Sequence, residues 1–342
     1  MKWVRLFQIV ITGLLIALLT ACGGGSNDDG DASVGSGNPT APSGSTSNSS
    51  IGLVSATRSS LPTYVTTNNP VADMTGWLNT VRRTLGLKAI LVNASLQQAA
   101  QNHSNYEVIN QVGGHTETSG RRGFTGATPE ARISAVYPSA NYYSEVTAYY
   151  FRSTLLDQPT GVSAVQQLID APFHRVSMFS DALVMGAGYS TDWSTNSSVA
   201  HSAFTIDFAN TANAFSPNQL VAYPYAGQTN VPISWVANES PNPFDNLTSY
   251  VGATVGYPVT IQGEVSDRLV VSSFTIATAN GTDVPCHEVD PSTPSLGSDL
   301  LGAAMCVPFQ PYTPNTQYTA TVSGSKNGRS FTVSWSWTTG KQ

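Results

Sequence analysis

The chain has 342 residues, enough for two domains with cores of their own, and only 11% of them are charged. Fifteen Lys and Arg against 21 Asp and Glu leave a formal net charge of −6, while Ser, Thr, Asn and Gly supply the polar surface. Such a chain offers no basic field to nucleic acid or to an anionic lipid surface, which excludes both as partners.

The first 22 residues read as a targeting segment. Lys2 and Arg5 precede the apolar run "IVITGLLIALL", which is short for a stable membrane span and typical of a signal peptide. It ends in "LTAC", Leu19 to Cys22, which resembles a bacterial lipoprotein signal, small residues before a cysteine that becomes the lipidated N-terminus. An ordinary secretory leader with a chance cysteine is the alternative. Gly23 after the cysteine gives no obvious inner-membrane retention signal, so the expected location is the cell envelope, lipid-anchored, at the outer membrane or cell surface. Residues 23–69, typified by "GGGSNDDGDASVGSGNPTAPSGSTSNSS", hold few large apolar side chains and read as a disordered Ser/Gly-rich tether. Setting Cys22 aside leaves Cys286 and Cys306, which an oxidising compartment would pair; two free buried thiols are the alternative.

Ordered structure is expected from about Pro70. In "MTGWLNTVRRTLGL" the residues Trp77, Leu78, Val81 and Leu85 fall on one helical stripe, with Gly86 as a stop. Asn93 is a candidate cap for a second helix that carries Leu96, Ala99, Ala100 and His103 on one face. "GFTGATPEAR" predicts a turn and a helix start, Thr128 capping and Pro129 in the first helical position. Val162, Val165, Leu168 and Ile169 mark a further helix ending before Pro172. "VMGAGYS" and "AFTIDFA" alternate as strands through Met185, Ala187, Tyr189 and through Phe204, Ile206, Phe208. After about Asn213 the helical period is lost. Short alternating runs such as "VPISWVA", "QYTATVSG" and "RSFTVSWSWTT" read as an antiparallel sandwich over 216–342, with Tyr318, Trp335 and Trp337 in core or strand-end roles.

Taken in order, "LNTVRRTLGLKAILVNASLQQAAQNHSNY", "GGHTETSGRRGFTGATPEARISAVYP", "APFHR" and "VMGAGYS" resemble the bacterial branch of the CAP superfamily, the SCP-like, cysteine-rich secretory, antigen 5 and pathogenesis-related-1 proteins. The resemblance implies an α+β chain, with a CAP-type α-β-α sandwich over 70–215. "YPYAGQTNVPISW", "PNTQYTATVSG" and "WSWTT" look like the immunoglobulin-like β-sandwich found behind such domains, here serving as a spacer or adhesion module. It also implies a cleft of two histidines and two acids that binds a divalent metal in some members. His115 in "GGHTE", Glu145 in "YSEV" and His174 in "APFHR" match three of these positions. The second acid falls at or beside Ala171 and is missing, and Ser144 and Val146 replace the usual neighbours of Glu145.

On chemistry alone, His115 and His174 with one carboxylate could hold Zn²⁺, water completing the tetrahedron, and Asp170 or Glu117 could stand in for the missing acid. A histidine at a helix end is equally what the helix dipole favours. His103, on an apolar stripe, reads as a satisfied core histidine, and Arg121, Arg122 and Arg132 as structural partners of carboxylates or as cleft rim. No GxSxG elbow and no Gly-rich phosphate loop is present. The expected function is non-enzymatic capture of a small apolar or envelope-derived ligand in a cleft lined by His115, Glu145 and His174. A metal-dependent hydrolase or peptidase acting on envelope polymers is the competing class.

Overall fold

The computed structural model describes residues 8–11, 50–153, 158–194 and 198–341. Cys22 and residues 12–49, expected as leader and tether, lie outside them, and among the described residues no helix is long and apolar enough to cross a membrane. The first half runs β1 (Gln8–Ile11), β2 (Gly52–Leu53), α1 (Pro70–Thr84), β3 (Leu91–Val92), α2 (Ala94–Asn110), α3 (Pro129–Val136), β4 (Tyr143–Ser153), α4 (Gly161–Asp170), α5 (Pro172–Met178), β5 (Ala182–Thr191) and β6 (Val199–Thr211). Its sheet has the order β1-β4-β6-β5-β3, antiparallel except where β3 runs parallel to β5. β1 lies antiparallel on the outer side of β4, within the stretch expected as leader.

Local sequence explains the helix ends. The side chain of Asn69 caps α1 at Ala72 N, and that of Asn93 caps α2 by accepting from Ser95 N and Leu96 N at 2.9 and 3.2 Å. Thr128 caps α3 ahead of Pro129, and Thr160 with Ser163 forms a capping box on α4. The sheet then divides by strand alternation. Val146, Ala148 and Tyr150, Met185 and Ala187, and Phe204, Ile206 and Phe208 point to one side, where Leu78, Val81, Val165, Leu168 and Phe179 of α1, α4 and the end of α5 cover them. The other side is covered by α2 and α3, whose apolar contact is small: Leu96, Ile133, Val184 and Ala209. α2 lies close on β5 because Gly186 and Gly188 of "VMGAGYS" have no Cβ. A methyl at either site would meet the α2 backbone at Leu96 and Gln97 or at Ala100 and Gln101.

The second half contains β7 (Gln219–Tyr223), β8 (Ser234–Val236), β9 (Thr254–Gly256), β10 (Val259–Gln262), β11 (Leu269–Thr278), β12 (Cys286–Val289), β13 (Ala303–Pro308), β14 (Gln317–Lys326) and β15 (Arg329–Thr338). It is a β-sandwich of one sheet ordered β12-β13-β10-β7-β2 and another ordered β11-β14-β15, with a β8-β9 hairpin beside them. Tyr318, Trp335 and Trp337 are core residues, 3%, 3% and 1% exposed, and Trp335 donates its indole N–H to Pro224 O. Cys286 and Cys306 form a disulfide across the β12-β13 pair.

The tether does not extend to residue 69 as its composition suggests. Ile51 is buried, and β2 pairs in parallel with β7, adding an edge strand to the second sandwich. Residues 54–69 then run back over α1, Thr57 bonding Thr84 O and Tyr64 packing edge-on against Trp77. Composition underrated this strap because most of its few apolar residues, Ile51, Leu53, Val54, Leu61 and Tyr64, pack on the core.

Gly188→Ala is expected to cost roughly 1–3 kcal/mol, since α2 must be pushed off β5, and chemical denaturation measures it. Replacing both Cys286 and Cys306 by Ser releases a loop with a sequence separation of 20 and is expected to cost about 3 kcal/mol, read as a melting point lower by several degrees.

Candidate functional site

The side of the sheet that faces α2 is polar, yet it is buried. Alternation puts Glu145 and Thr147 of β4 and Thr205 and Asp207 of β6 there, with Glu145 directly opposite Asp207 and Thr147 opposite Thr205. α2 contributes His103, Ser104 and Glu107, at the helical spacing that shares a face with Leu96 and Ala100. The segment after α2 brings His115 and Glu117, and α3 brings Arg132. None of His103, Glu107, His115, Glu117, Arg132, Glu145 and Asp207 is more than 4% exposed.

Each ionised group is met by a partner. Glu145 takes the Nδ1–H of His115 at 2.8 Å on Oε1 and Nη2 of Arg132 at 2.6 Å on Oε2, with His103 Nε2 a further 3.7 Å from Oε1. His103 faces acceptors from both ring nitrogens, Glu117 at 3.0 Å and Gly114 O at 2.8 Å, so it is held as the imidazolium. Glu117 also accepts from Thr125 N at 2.6 Å, and Arg132 ties back to Gly126 O. Glu107 accepts from Gly114 N and from the hydroxyl of Thr147.

Burial and neighbours divide the protons. Burial alone would raise Glu145, but Arg132 and the two histidines hold it well below the usual carboxylate range. Asp207 is pushed well above that range, first by burial and then by the Glu145 charge across the strand pair, so it stays protonated. Burial lifts Glu107 to about 7, in spite of His103, Thr147 and Gly114. Burial disfavours His103 as a cation, but Glu145, Glu107 and Glu117 overcome it and raise its pKa. For His115 burial wins and the ring is neutral, its proton on Nδ1. Below about pH 7, where Glu107 holds its proton, two anions, Glu145 and Glu117, thus face two cations, Arg132 and His103.

The residues expected to share one cleft are parted. His115 and Glu145 are bonded to each other. His174, also fully buried, turns its Nδ1 to Glu239 of the second half at 3.1 Å. Asp170, a candidate for the missing acid, accepts from Tyr257 O–H at 2.7 Å and from Gln166, while Glu117, the other candidate, does join the network, through His103. Arg121 and Arg122 are exposed. A divalent metal does not fit this donor set: His115 and His174 have different carboxylate partners, His103 has both nitrogens engaged, and among the described residues no group of three or more His, Cys, Asp or Glu is placed to hold a metal ion. His115 Nε2 is buried without a hydrogen-bond partner, as are Arg132 Nε and both carboxyl oxygens of Asp207.

Sequence reasoning missed Asp207, Glu107 and Glu239. The first was legible: in "AFTIDFA" the apolar set leaves Thr205 and Asp207 on the opposite face, and an Asp there asks for a partner. Glu107 lies four residues after His103 on the same helix face. Glu239 carried no signal, being 65 residues from its histidine.

In comparison with known proteins, the family described as CAP, Cysteine-rich secretory protein family, matches residues 76–208. No curated protein sequence matches the chain. Among solved structures, an outer surface protein from Borrelia burgdorferi is 17% identical, with 43% of this chain and 97% of that one covered and a TM-score of 0.31. An extracellular protein containing a SCP domain from Bacillus anthracis is 14% identical, with 44% of this chain and 45% of that one covered and a TM-score of 0.32.

The proton distribution gives stability a definite pH dependence. His103, with its folded pKa raised, contributes stability that is present below its unfolded value and lost as pH rises through the folded one. Glu107 and Asp207, also raised, penalise the folded state as pH climbs above the ordinary carboxylate range. Glu145 and Glu117, lowered, contribute stability present above that range and lost as pH falls. His115, lowered, withdraws stability as pH falls through the ordinary imidazole range, so the melting temperature is expected to peak near about pH 6 and to fall toward about pH 8, with Glu107→Gln flattening the fall. Scanning calorimetry across that range decides it, and a melting temperature that climbs steadily to pH 8 contradicts the assignment.

Proposed function

Residues 76–208 belong to the CAP family, the Cysteine-rich secretory proteins, and on that premise we propose that the chain is a non-enzymatic binding protein displayed at the bacterial cell surface. The observation that supports it is the closure of the histidine–carboxylate network. A general acid or base must come within hydrogen-bond reach of the group it serves, whereas His103, His115, Glu117 and Glu145 are at most 4% exposed and bonded to one another. With Arg132 their charges balance inside the fold, so the network serves to hold α2 and α3 on the sheet. Binding then falls to the outer surface of the two halves. Display outside the cell is supported by the leader ending at Cys22 and by the Cys286–Cys306 disulfide, which belongs to an oxidising compartment. The two structural neighbours are described as an outer surface and an extracellular protein; at their TM-scores they add no weight.

A second reading, capture of a small apolar or envelope-derived ligand beside His115, is favoured by one observation. The unprotonated Nε2 of that ring is a buried acceptor with no donor, a place for one N–H or O–H of a guest.

Incubating the full chain with peptides and peptidoglycan, with and without Zn²⁺, is expected to give no turnover. Hydrolysis abolished by His115→Ala would return the protein to the hydrolases. Native mass spectrometry separates the two binding readings: the first expects the bare polypeptide mass, the second a co-purifying molecule that His115→Ala removes.

A further inference from the structure

The joint between the two halves is built from the "APFHR" segment. α5 starts at Pro172 behind Ala171, which provides no side-chain cap, so its first amides need acceptors from elsewhere. Glu239, in the segment between β8 and β9, supplies them: it accepts from Phe173 N at 3.3 and 3.2 Å on its two oxygens, one of which also shares a hydrogen bond with His174 Nδ1 at 3.1 Å. Arg175 is wholly buried. Its guanidinium donates to Ile169 O and Asp170 O on its own side and to Pro258 O on the other, at 2.7, 3.2 and 2.7 Å. It also lies 4.7 and 5.0 Å from the ring centres of Tyr223 and Tyr257. Tyr257 bonds Asp170, Gln262 bonds Val176 O, and Asp181 accepts from Val265 N. The chain also crosses in the other direction, because β2, which precedes the CAP domain, is an edge strand of the second sandwich. A single apolar cluster runs through both, with Phe179 packed on Tyr223 at 5.4 Å.

From this we infer that the C-terminal sandwich is an obligate half of the CAP domain and not a spacer: Glu239 caps α5 from across the joint, Arg175 locks into the sandwich, and the two halves fold as one cooperative unit. His174 serves this joint, which is why it is absent from the network of His115 and Glu145. A partner at the cell surface therefore meets two faces in a fixed relative arrangement. The inference concerns the joint and stands whether or not the binding role proposed above holds.

The test uses the full chain. Scanning calorimetry is expected to show one transition whose calorimetric and van't Hoff enthalpies agree. Glu239→Ala is expected to lower that whole transition and to speed amide exchange at Phe173 and neighbouring α5 amides by about tenfold or more, the measure of a lost buried cap. Glu239→Gln, which keeps one acceptor oxygen, is expected to fold with intermediate exchange. Arg175→Lys is expected to loosen exchange across the joint, in β10, and Ile51→Ala to lower the same single transition. Two resolved transitions, with Glu239→Ala moving only one of them, overturn the inference, as does unchanged α5 exchange in that variant.

Discussion

The structure depends on one constraint: a sheet face that carries charges is closed off from water by a helix. Glu145 and Asp207 sit opposite each other on neighbouring strands, and α2 lays His103 and Glu107 over them. An uncompensated buried carboxylate would cost several kcal/mol. The fold meets that cost by protonating some acids and pairing others. Asp207 keeps its proton so that Glu145 can be ionised, and Glu145 is ionised because Arg132 lies 2.6 Å away. Arg132 is in place because Thr128 and Pro129 start α3 where they do. Change any member and the others must redistribute their protons.

The same closure is set by glycine. Gly186 and Gly188 let the α2 backbone approach β5, and that approach excludes water from the polar face. A wider gap would admit solvent to His115 and Glu145 and turn a supporting network into an accessible site. Whether this arrangement of residue types acts as chemistry or as scaffolding is thus decided by packing distance more than by the identity of the ionisable groups.

The joint with the sandwich follows a complementary logic. Where α2 closes the polar face with charges from within the CAP domain, α5 lacks a cap of its own and obtains one from Glu239. The arginine after His174 is enclosed by two tyrosines of the other half, so the segment cannot leave without exposing apolar surface and stranding a cation.

The sequence by itself determined four helices of the first half, two of its strands and some of the caps, while β4 and α5 left no clear pattern. Asn93, Thr128 and the stop before Pro172 were legible because capping is local chemistry, readable within a few residues. The alternation of Phe204, Ile206 and Phe208 and the change to short strands after Asn213 were legible because burial imposes a period on a strand. The disulfide followed from counting cysteines. Only the tertiary structure decided the partners. His115 and His174 each lie near a glycine or a proline in sequence and look alike there, yet one bonds Glu145, 30 residues away, and the other Glu239, 65 residues away. Residues 51–53 looked like tether because two strand residues leave no periodic trace. Its pairing is with β7, on the far side of the whole CAP domain in sequence. Propensity and pattern act within a turn or a strand, whereas the choice of acceptor for a buried donor is made by whichever chain the fold brings near, and that choice separated a site from a joint.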